Sequence, residues 1–394
     1  MSRPQRSRSP ISLGAGVGAG LAAAGLAAVG AVTVDRLWRD RRHAIALGTD
    51  DDFTVVPSEV AVVVADDGVP LHVEIDEPEG WDPSRPTVIL SHGFTLDLRC
   101  WVFQRRALLE AGHRVVTWDL RGHGTSGEGA EESYNIEQLG VDLARVIQQV
   151  APTGDLVLAG HSMGGMTVMA LAEANPGLFR DRVVAVAMIS TSAGGLHRIT
   201  WGVGSMLGRV VNKYGPTALV QLSPHQDFVD SVMRGGKELQ EFLVARGSFG
   251  SPVPLSVVRL TADMIFGTPL KVISAFTHTL EDHDKREALA NMAGQEVLVF
   301  NGDKDALTSA VHSTEIVDAI PGAEHVFVKD AGHIIMLEHA ELLNQELLDL
   351  LTRADRSRGQ APREVGPRHT VTDLNKRRRD RMTRPGRGRT RARA

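Results

Sequence analysis

The stretch Asp155-Leu-Val-Leu-Ala-Gly-His-Ser-Met-Gly-Gly165 decides the fold of this 394-residue chain. Its apolar run, residues 156–159, is too short for a helix and predicts a buried strand. The strand leads into Gly160-His-Ser-Met-Gly164, which has the pattern G-x-S-x-G, and the Ala- and Met-rich residues 163–174 predict a helix. A serine in a sharp turn between a strand and a helix is typical of a nucleophile elbow. We therefore expect Ser162 to be a nucleophile; the alternative is a serine in an ordinary glycine-rich turn.

Strand and helix patterns alternate on both sides of this stretch. Short apolar, β-branched runs predict strands, and apolar residues at every third or fourth position predict helices. The predicted strands are residues 60–65, 71–75, 87–91, 114–118, 156–159, 182–190, 296–300 and 325–328. The first two flank Asp66-Asp-Gly68, which predicts an antiparallel hairpin. The alternation predicts an α/β fold, with a mostly parallel eight-stranded sheet and helices on both faces.

Strand patterns stop after the sixth strand and resume only near residue 296. The helical patterns in between, broken by Gly and Pro, lie near residues 201–213, 225–246, 254–266 and 269–281. Because open α/β sheets bind ligands at the carboxyl ends of their strands, we expect residues 194–294 to form a helical cap over that edge. The cap then divides the core into residues 60–193 and 295–352.

The amino-terminal region departs from ordinary globular composition. Residues 1–10 carry three arginines, and residues 11–34 contain no charged residue before a linker at residues 35–59. An uncharged run of this length can span a bilayer as a helix, but its eight Ala and six Gly leave few strongly apolar side chains. A membrane anchor, a cleaved signal peptide and a disordered Ala/Gly arm all remain open. We expect a membrane-associated or exported protein, and otherwise a cytoplasmic one.

The carboxyl-terminal region is strongly basic. Residues 353–394 contain fifteen Lys and Arg against four Asp and Glu, in a chain whose net charge is −5. Such a segment cannot bury a core, so we expect a disordered tail. It could contact anionic lipid or be a solvated tail without a partner; nucleic acid is not an expected partner. Cys100 is the only cysteine, which excludes an intrachain disulfide and a zinc site built from cysteines.

A serine hydroxyl needs a positioned base to act as a nucleophile, usually a histidine that a carboxylate orients. In folds with this type of elbow, the chain order is serine, acid, histidine. Asp303 and Asp305 follow the predicted strand 296–300, and His333 follows the last predicted strand. The candidate acids and the candidate histidine therefore reach the sheet edge where Ser162 is expected.

Residues 60–351 resemble the α/β-hydrolase fold enzymes of the capped serine-hydrolase kind, which include esterases and lipases. The resemblance rests on five motifs in the family's order: His92-Gly-Phe94, Asp119-Leu-Arg-Gly-His-Gly-Thr-Ser126, Gly160–Gly164, Gly302-Asp-Lys-Asp305, and Gly332-His333 followed by Glu338. Ala340 stands where the family usually has proline. The resemblance implies that Asp305 is the acid, with Asp303 or Asp119 as alternatives. It implies that His333 is the base, with His325 and His339 as poorer candidates.

The same resemblance implies acyl transfer by Ser162, with an oxyanion held by the backbone N–H groups of Phe94 and Met163. Supporting roles fall to other residues of the motifs: His92, Gly93, Gly160, His161 and Gly164. No metal and no organic cofactor is expected.

We expect a hydrolase that cleaves a carboxylic ester of a small-to-medium lipophilic substrate. Thioester or amide hydrolysis and cofactor-free perhydrolysis of the haloperoxidase kind use the same residues and remain alternatives, and a non-catalytic binding module is a third. Epoxide hydrolases and dehalogenases of this fold use an aspartate nucleophile, so Ser162 argues against them.

Overall fold

A mixed sheet of nine strands forms the centre of the part of the chain that the structure, a computed structural model, describes: residues 39–196, 236–357 and 368–373. The strands are β1 (Glu59–Val64), β2 (Pro70–Asp76), β3 (Thr87–Ser91), β4 (Val115–Trp118), β5 (Leu156–His161), β6 (Val183–Ile189), β7 (Glu296–Gly302), β8 (Glu324–Val328) and β9 (Arg368–Thr372). Their order in the sheet is β1-β2-β4-β3-β5-β6-β7-β8-β9.

Helices cover both faces of the sheet. They are α1 (residues 39–47), α2 (Val102–Glu110), α3 (Ile136–Val150), α4 (Met163–Ala174), α5 (Pro176–Asp181), α6 (Lys237–Ser248), α7 (Leu255–Gly267), α8 (Leu270–Asp282), α9 (Ala310–Ala319), α10 (Ile335–Glu338) and α11 (Ala340–Ser357). Short 3₁₀ helices lie at Leu98–Trp101, Glu131–Ser133 and Glu287–Met292.

The eight predicted strands are confirmed, each with ends within two residues of the prediction. The hairpin β1–β2 and the pair β2–β4 are antiparallel, and every other pair is parallel. The ninth strand, β9, corrects the expectation that residues 353–394 lack structure. It adds to the sheet beside β8, where its backbone completes hydrogen bonds that the outer edge of β8 would otherwise leave open.

The core consists of two apolar clusters, one on each face of the sheet. On one face, α3 and α4 pack against the strands; on the other face, α2 and α11 do so. The helical spacing of the apolar residues in α3 explains its orientation, because these residues are all buried: Ile136, Leu139, Leu143, Val146 and Ile147. The middle strands are buried on both faces, as expected for parallel strands between two helical layers.

Helices α6, α7 and α8 come between β6 and β7, as expected for a helical insertion after the sixth strand. They lie against the carboxyl edge of the sheet. The ring of Phe276 in α8 packs 6.1 Å from that of Phe94 in the loop after β3 and 5.2 Å from that of Tyr134. Of the four predicted cap segments, residues 201–213 lie wholly outside the described residues, and residues 225–246 lie outside them as far as residue 235.

The expected linker, residues 35–59, contains α1, which packs on the cap. Arg41 in α1 donates to the Glu241 carboxylate in α6 at 3.0 Å, and Leu255 N–H in α7 donates to Gly48 O at 2.8 Å. The proposed anchor, residues 11–34, lies outside the described residues, as does most of the basic tail. Within the ranges that the structure describes, no helix is both long and apolar enough to cross a membrane.

Candidate active site

Ser162 occupies a strained turn between β5 and α4. Its φ of 51° and ψ of −117° lie in a region that side-chain-bearing residues rarely adopt. Ser162 is partly exposed, whereas its neighbours His161 and Met163 are buried. The turn therefore presents one hydroxyl group at the carboxyl edge of the sheet.

Two glycines permit this turn. A Cβ at Gly160 would collide with the backbone of Gly164 and Gly165, and a Cβ at Gly164 would collide with the carbonyl oxygen of Ser91 at the end of β3. Only glycine lets the start of α4 approach β3 and β5 this closely. The G-x-S-x-G spacing is thus a packing requirement of the elbow.

The neighbouring strand β6 holds the elbow in place. Ser162 N–H donates to Ile189 O at 2.9 Å, and the Thr191 hydroxyl donates to Ser162 O at 2.7 Å. These bonds satisfy both backbone polar groups of Ser162 and offset part of the strain of its positive φ.

The His333 and Asp305 side chains meet in the loops after β8 and β7. His333 Nδ1 lies 2.8 Å from Asp305 Oδ2. An ionised carboxylate only accepts hydrogen bonds, so Nδ1 carries the proton and Nε2 is left as the acceptor of the neutral ring. Both side chains are buried.

Asp305 is held as an anion by three further contacts. Its Oδ1 accepts from the N–H groups of Leu307 and Thr308 at 2.9 Å each, and its Oδ2 accepts from the Thr308 hydroxyl at 2.8 Å. Burial alone would raise the pKa of Asp305, but His333 and these donors together bring that pKa below its usual value. Thr308 also lies 3.4 Å from His333 Nδ1.

His161 connects the elbow to the His333 loop. Its Nε2 donates to His333 O at 2.9 Å, and the two imidazole rings lie 4.8 Å apart. Burial and the nearby His333 lower the pKa of His161 to about 3. His161 is therefore neutral at ordinary pH and places no second positive charge beside His333.

The backbone of the loop after β3 lies directly against the elbow. A Cβ at Gly93 would stand 2.5 Å from His161 Nδ1 and 3.1 Å from Ser162 Cβ, so only glycine fits there. Phe94 follows this contact. Met163 is the first residue of α4, where a helix N–H has no acceptor within its own helix. The two residues predicted to supply oxyanion-binding N–H groups thus lie on two elements that adjoin the Ser162 turn.

His92 and His123 support the Phe94 loop through their rings. His92 Nδ1 donates to Gly93 O at 2.8 Å, and its Nε2 accepts from Leu120 N–H at 2.9 Å. His123 Nδ1 donates to Arg121 O, and its Nε2 accepts from Thr95 N–H at 3.2 Å. Burial lowers the pKa of both rings, that of His123 to about 3. Each is therefore a neutral imidazole that bridges two loops.

The alternative acids and bases have other partners. Asp303 is exposed and accepts from Asp330 N–H at 2.7 Å. Asp119 is buried and accepts from Leu98 N–H and from Thr125. His325 Nε2 bonds to the Asn301 side chain at 2.8 Å. His339 Nε2 lies 3.6 Å from Glu338 Oε1. Asp305 and His333 are thus the acid and histidine that the described geometry joins.

Three contacts in this region were not predicted from the sequence: that of Thr308 with Asp305, that of Thr191 with Ser162, and that of the Glu338 carboxylate with Gly250 N–H. The Thr308 contact has a local signal, because an aspartate often accepts from N–H groups two and three residues later. The Thr191 and Glu338 contacts join residues far apart in the chain, and no local pattern reveals them. In the described ranges, no group of three or more His, Cys, Asp or Glu side chains could hold a metal ion.

A model of the alpha/beta hydrolase family matches residues 88–346, which include the elbow, the Asp305 loop and the His333 loop. The chain belongs to this family.

Its relatives are described as enzymes with different activities. The dihydrolipoyllysine-residue acetyltransferase component of an acetoin cleaving system from Pseudomonas putida is 29% identical over 68% of this chain, and the chain spans 63% of that protein's length. A putative carbamate hydrolase from Variovorax paradoxus is 24% identical over 72% of this chain and 97% of its own. The crystal structure of an enol-lactonase from Burkholderia xenovorans is 27% identical, covers 75% of this chain and 100% of its own, and has a TM-score of 0.56.

The family match and these similarities establish the α/β-hydrolase fold and show that the chain is an enzyme, a hydrolase of this family.

Proposed function

We propose that this enzyme is a serine hydrolase that cleaves a carboxylic ester of a small-to-medium lipophilic substrate. The observation that carries the proposal is the hydrogen bond of His333 to the buried Asp305, in a loop joined through His161 to the strained Ser162 turn. A nucleophile, a base and an orienting acid arranged in this way are the parts that acyl transfer requires.

In the proposed first step, Ser162 Oγ attacks the carbonyl carbon of the ester while His333 Nε2 takes the hydroxyl proton. The negative charge that develops on the carbonyl oxygen is stabilised by the N–H groups of Met163 and Phe94. Each such donor contributes roughly 3–4 kcal/mol to stabilising the transition state. His333 then returns the proton to the leaving alcohol, which departs and leaves an acyl group on Ser162.

In the second step, water attacks the acyl-enzyme, and His333 again serves as base and then as acid. Asp305 stabilises the imidazolium that forms twice in each cycle. Its lowered pKa suits this role, because the carboxylate stays ionised whenever His333 carries the extra proton.

The proposed substrate class rests on the apolar surroundings of the Phe94 loop and on the relatives. Phe276 of the cap packs on both Phe94 and His123, so aromatic rings stand beside the proposed oxyanion site. Two of the similar proteins are described as an enol-lactonase and a carbamate hydrolase, whose substrates, like esters, carry an acyl carbon bonded to oxygen.

Hydrolysis of p-nitrophenyl esters of graded chain length tests the proposal. We expect wild-type activity with a maximum at a short or medium acyl chain, and a loss of about 10⁴-fold or more in kcat in Ser162→Ala. Ser190→Ala is the matched control. Ser190 also has a positive φ, 43°, at the end of the adjacent strand, but its side chain is buried. Full activity in Ser162→Ala would overturn the proposal, and a preference for thioesters or amides over esters would change the reaction class.

A further inference from the structure

Glu338, at the end of α10, has a fully buried carboxylate that accepts four hydrogen bonds. Oε2 accepts from Gly332 N–H at 2.7 Å and from Gly250 N–H at 3.2 Å. Oε1 accepts from Ser251 N–H and from the Ser251 hydroxyl, the latter at 2.6 Å. The side chain has no exposed surface.

The four donors belong to two different loops. Gly332 lies in the base loop, residues 329–334, directly before His333. Gly250 and Ser251 lie in the cap loop, residues 249–254, which joins the cap helices α6 and α7. The carboxylate therefore bridges the loop of the proposed catalytic base to the cap.

The two loops are in direct backbone contact at this bridge. A Cβ at Gly332 would stand 2.6 Å from Gly250 N, and a Cβ at Gly250 would stand 2.6 Å from the Ala331 carbonyl carbon. No side chain fits between the two loops. The N–H groups that face the carboxylate consequently cannot turn away without separating the loops.

Burying the Glu338 carboxylate at this position has an unfavourable free energy. Removing such a charge from water costs several kcal/mol, which hydrogen bonds must offset. Charge-assisted bonds are shorter, stronger and more directional than neutral ones. They fix the positions of the N–H donors more closely than apolar packing of the same volume would.

Two peptide groups beside His333, Ala331–Gly332 and His333–Ile334, are held by three separate elements. Gly332 N–H is held by Glu338 in α10, and His333 O is held by His161 at the elbow. Ile334 N–H donates to Ser248 O, at the end of cap helix α6, at 3.0 Å. His161 joins the base loop to Ser162, and the Glu338 and Ser248 bonds join it to the cap.

We propose that Glu338 is a positioning residue that fixes His333 relative to Ser162 by joining the base loop to the cap loop. The inference rests on the proposed function of His333 as base. The carboxylate touches no reacting atom and acts through the Gly332 peptide group. A cap that shifts against the core then also shifts the base.

Glu338→Gln tests this role with almost no change in side-chain shape. A glutamine has one acceptor oxygen. Its NH₂ group must therefore face donors, either the N–H groups of Gly332 and Gly250 or the N–H and hydroxyl groups of Ser251. We expect kcat/KM for p-nitrophenyl butyrate to fall about 10–100-fold, the range that a displacement of about 1 Å at a reacting group produces. The fall should appear in kcat rather than in KM.

The leaving group provides a readout that a loss of folded protein would not change. p-Nitrophenolate departs readily without a proton, whereas an alkoxide needs the proton that His333 returns. A displaced His333 should therefore reduce hydrolysis of ethyl butyrate several-fold more than that of p-nitrophenyl butyrate. Fewer folded molecules would reduce both equally.

Glu341→Gln is the matched control, since Glu341 is exposed on α11 only three residues away. Ser251→Ala is the second variant and keeps the test open should Glu338→Gln fail to fold. It removes only one of the four donors, and we expect a fall of about two- to fivefold in kcat with the same bias against ethyl butyrate.

Two results would overturn the inference in distinguishable ways. Wild-type kcat and an unchanged ethyl-to-nitrophenyl ratio in Ser251→Ala and in folded Glu338→Gln would overturn the positioning role alone. A wild-type protein that hydrolyses neither ester, or a Ser162→Ala variant as active as wild type, would overturn the proposed function and the positioning role with it.

Discussion

Two buried aspartates at the same edge of the sheet differ in what they hold. Asp119 follows β4 and Asp305 follows β7, and they are 2% and 4% exposed. The donors to Asp119 are backbone N–H groups and the Thr125 hydroxyl. Asp305 accepts from the same kinds of donor and, in addition, from the His333 ring. Burial raises the pKa of Asp119, whereas His333 helps to bring that of Asp305 below its usual value.

The difference shows that burial alone does not single out Asp305, the proposed acid, from Asp119. Asp119 joins the loops after β3 and β4, and so it fixes a backbone shape. Asp305 is bonded to the imidazole ring of His333, a type of side chain that serves as a general acid and base in catalysis. The hydrogen-bond partner of each carboxylate therefore distinguishes Asp119, which fixes the backbone, from Asp305, which is suited to orient a base.

Replacing each aspartate by asparagine should separate the two roles most strongly. Asp305→Asn removes the acceptor that fixes the Nδ1–H tautomer of His333, and we expect kcat for p-nitrophenyl butyrate to fall about 10⁴-fold. Asp119→Asn should leave kcat within about tenfold of wild type. Steady-state kinetics on the two purified variants measure both effects.

The stabilities of the same variants provide the control. Asp119→Asn places an amide among N–H donors and should lower the free energy of unfolding by about 1–3 kcal/mol. Equal losses of kcat in the two variants, with equal stabilities, would contradict the distinction between the two sites.

A smaller effect is expected from His123, which supports the loop on the Asp119 side. His123→Ala removes the acceptor of Thr95 N–H beside Phe94, and we expect kcat/KM to fall about tenfold, the cost of about one hydrogen bond. His113→Ala is the matched control. His113 is also buried and is hydrogen-bonded to Arg85. It lies just before β4, at the amino ends of the parallel strands and so opposite the candidate site. If kcat/KM fell equally in both variants, the loss would reflect the removal of a buried histidine in general and not the support of the Phe94 loop by His123.

The smallest effect concerns acid stability and involves both regions. Burial lowers the pKa of His123 and His161 to about 3 and that of His113 and His283 to about 4. In the unfolded chain these rings titrate near 6.5. The unfolded state therefore binds more protons between these values. The stability contributed by neutral burial is complete above about pH 6.5 and is lost as pH falls through about 4 for His113 and His283 and through about 3 for His123 and His161.

Each such histidine contributes a slope of up to about 1.4 kcal/mol per pH unit in this range. Urea unfolding at pH 7, 6 and 5 measures the slope. His123→Ala should reduce the slope by the contribution of one histidine, because the unfolded chain then binds one proton fewer. A free energy of unfolding that stays constant from pH 7 to 5 would show that these rings bind as many protons in the folded protein as in the unfolded chain, and would contradict their lowered pKa values.

Much of the fold follows from local sequence patterns, because the strands of this sheet are short, apolar and separated by turn residues. The elbow was predictable for the same reason, since Gly160, Ser162 and Gly164 lie within five residues. Strand β9 was not predictable: Arg368-His-Thr-Val-Thr372 lies in a basic segment, and only pairing with β8 makes it a strand.

The candidate site was predictable in its residues more than in its contacts. Chain order placed Asp303, Asp305 and His333 at one edge, and resemblance to the family was needed to prefer Asp305. The structure adds the physical difference, the bond to His333 against the exposed position of Asp303. The bonds of Glu338 to Gly250 and Ser251 join residues nearly ninety positions apart. Such contacts depend on how the cap folds back onto the core.

The most direct test of the central claim is to locate a covalent label. A fluorophosphonate reacts with a serine only when a base and an oxyanion site activate it. Intact mass spectrometry and peptide mapping of the treated protein should show one phosphonyl group on Ser162, with labelling absent in Ser162→Ala and retained in Ser190→Ala. A folded wild-type protein that stays unlabelled, or a label on another residue, would contradict the assignment of Ser162 as the nucleophile.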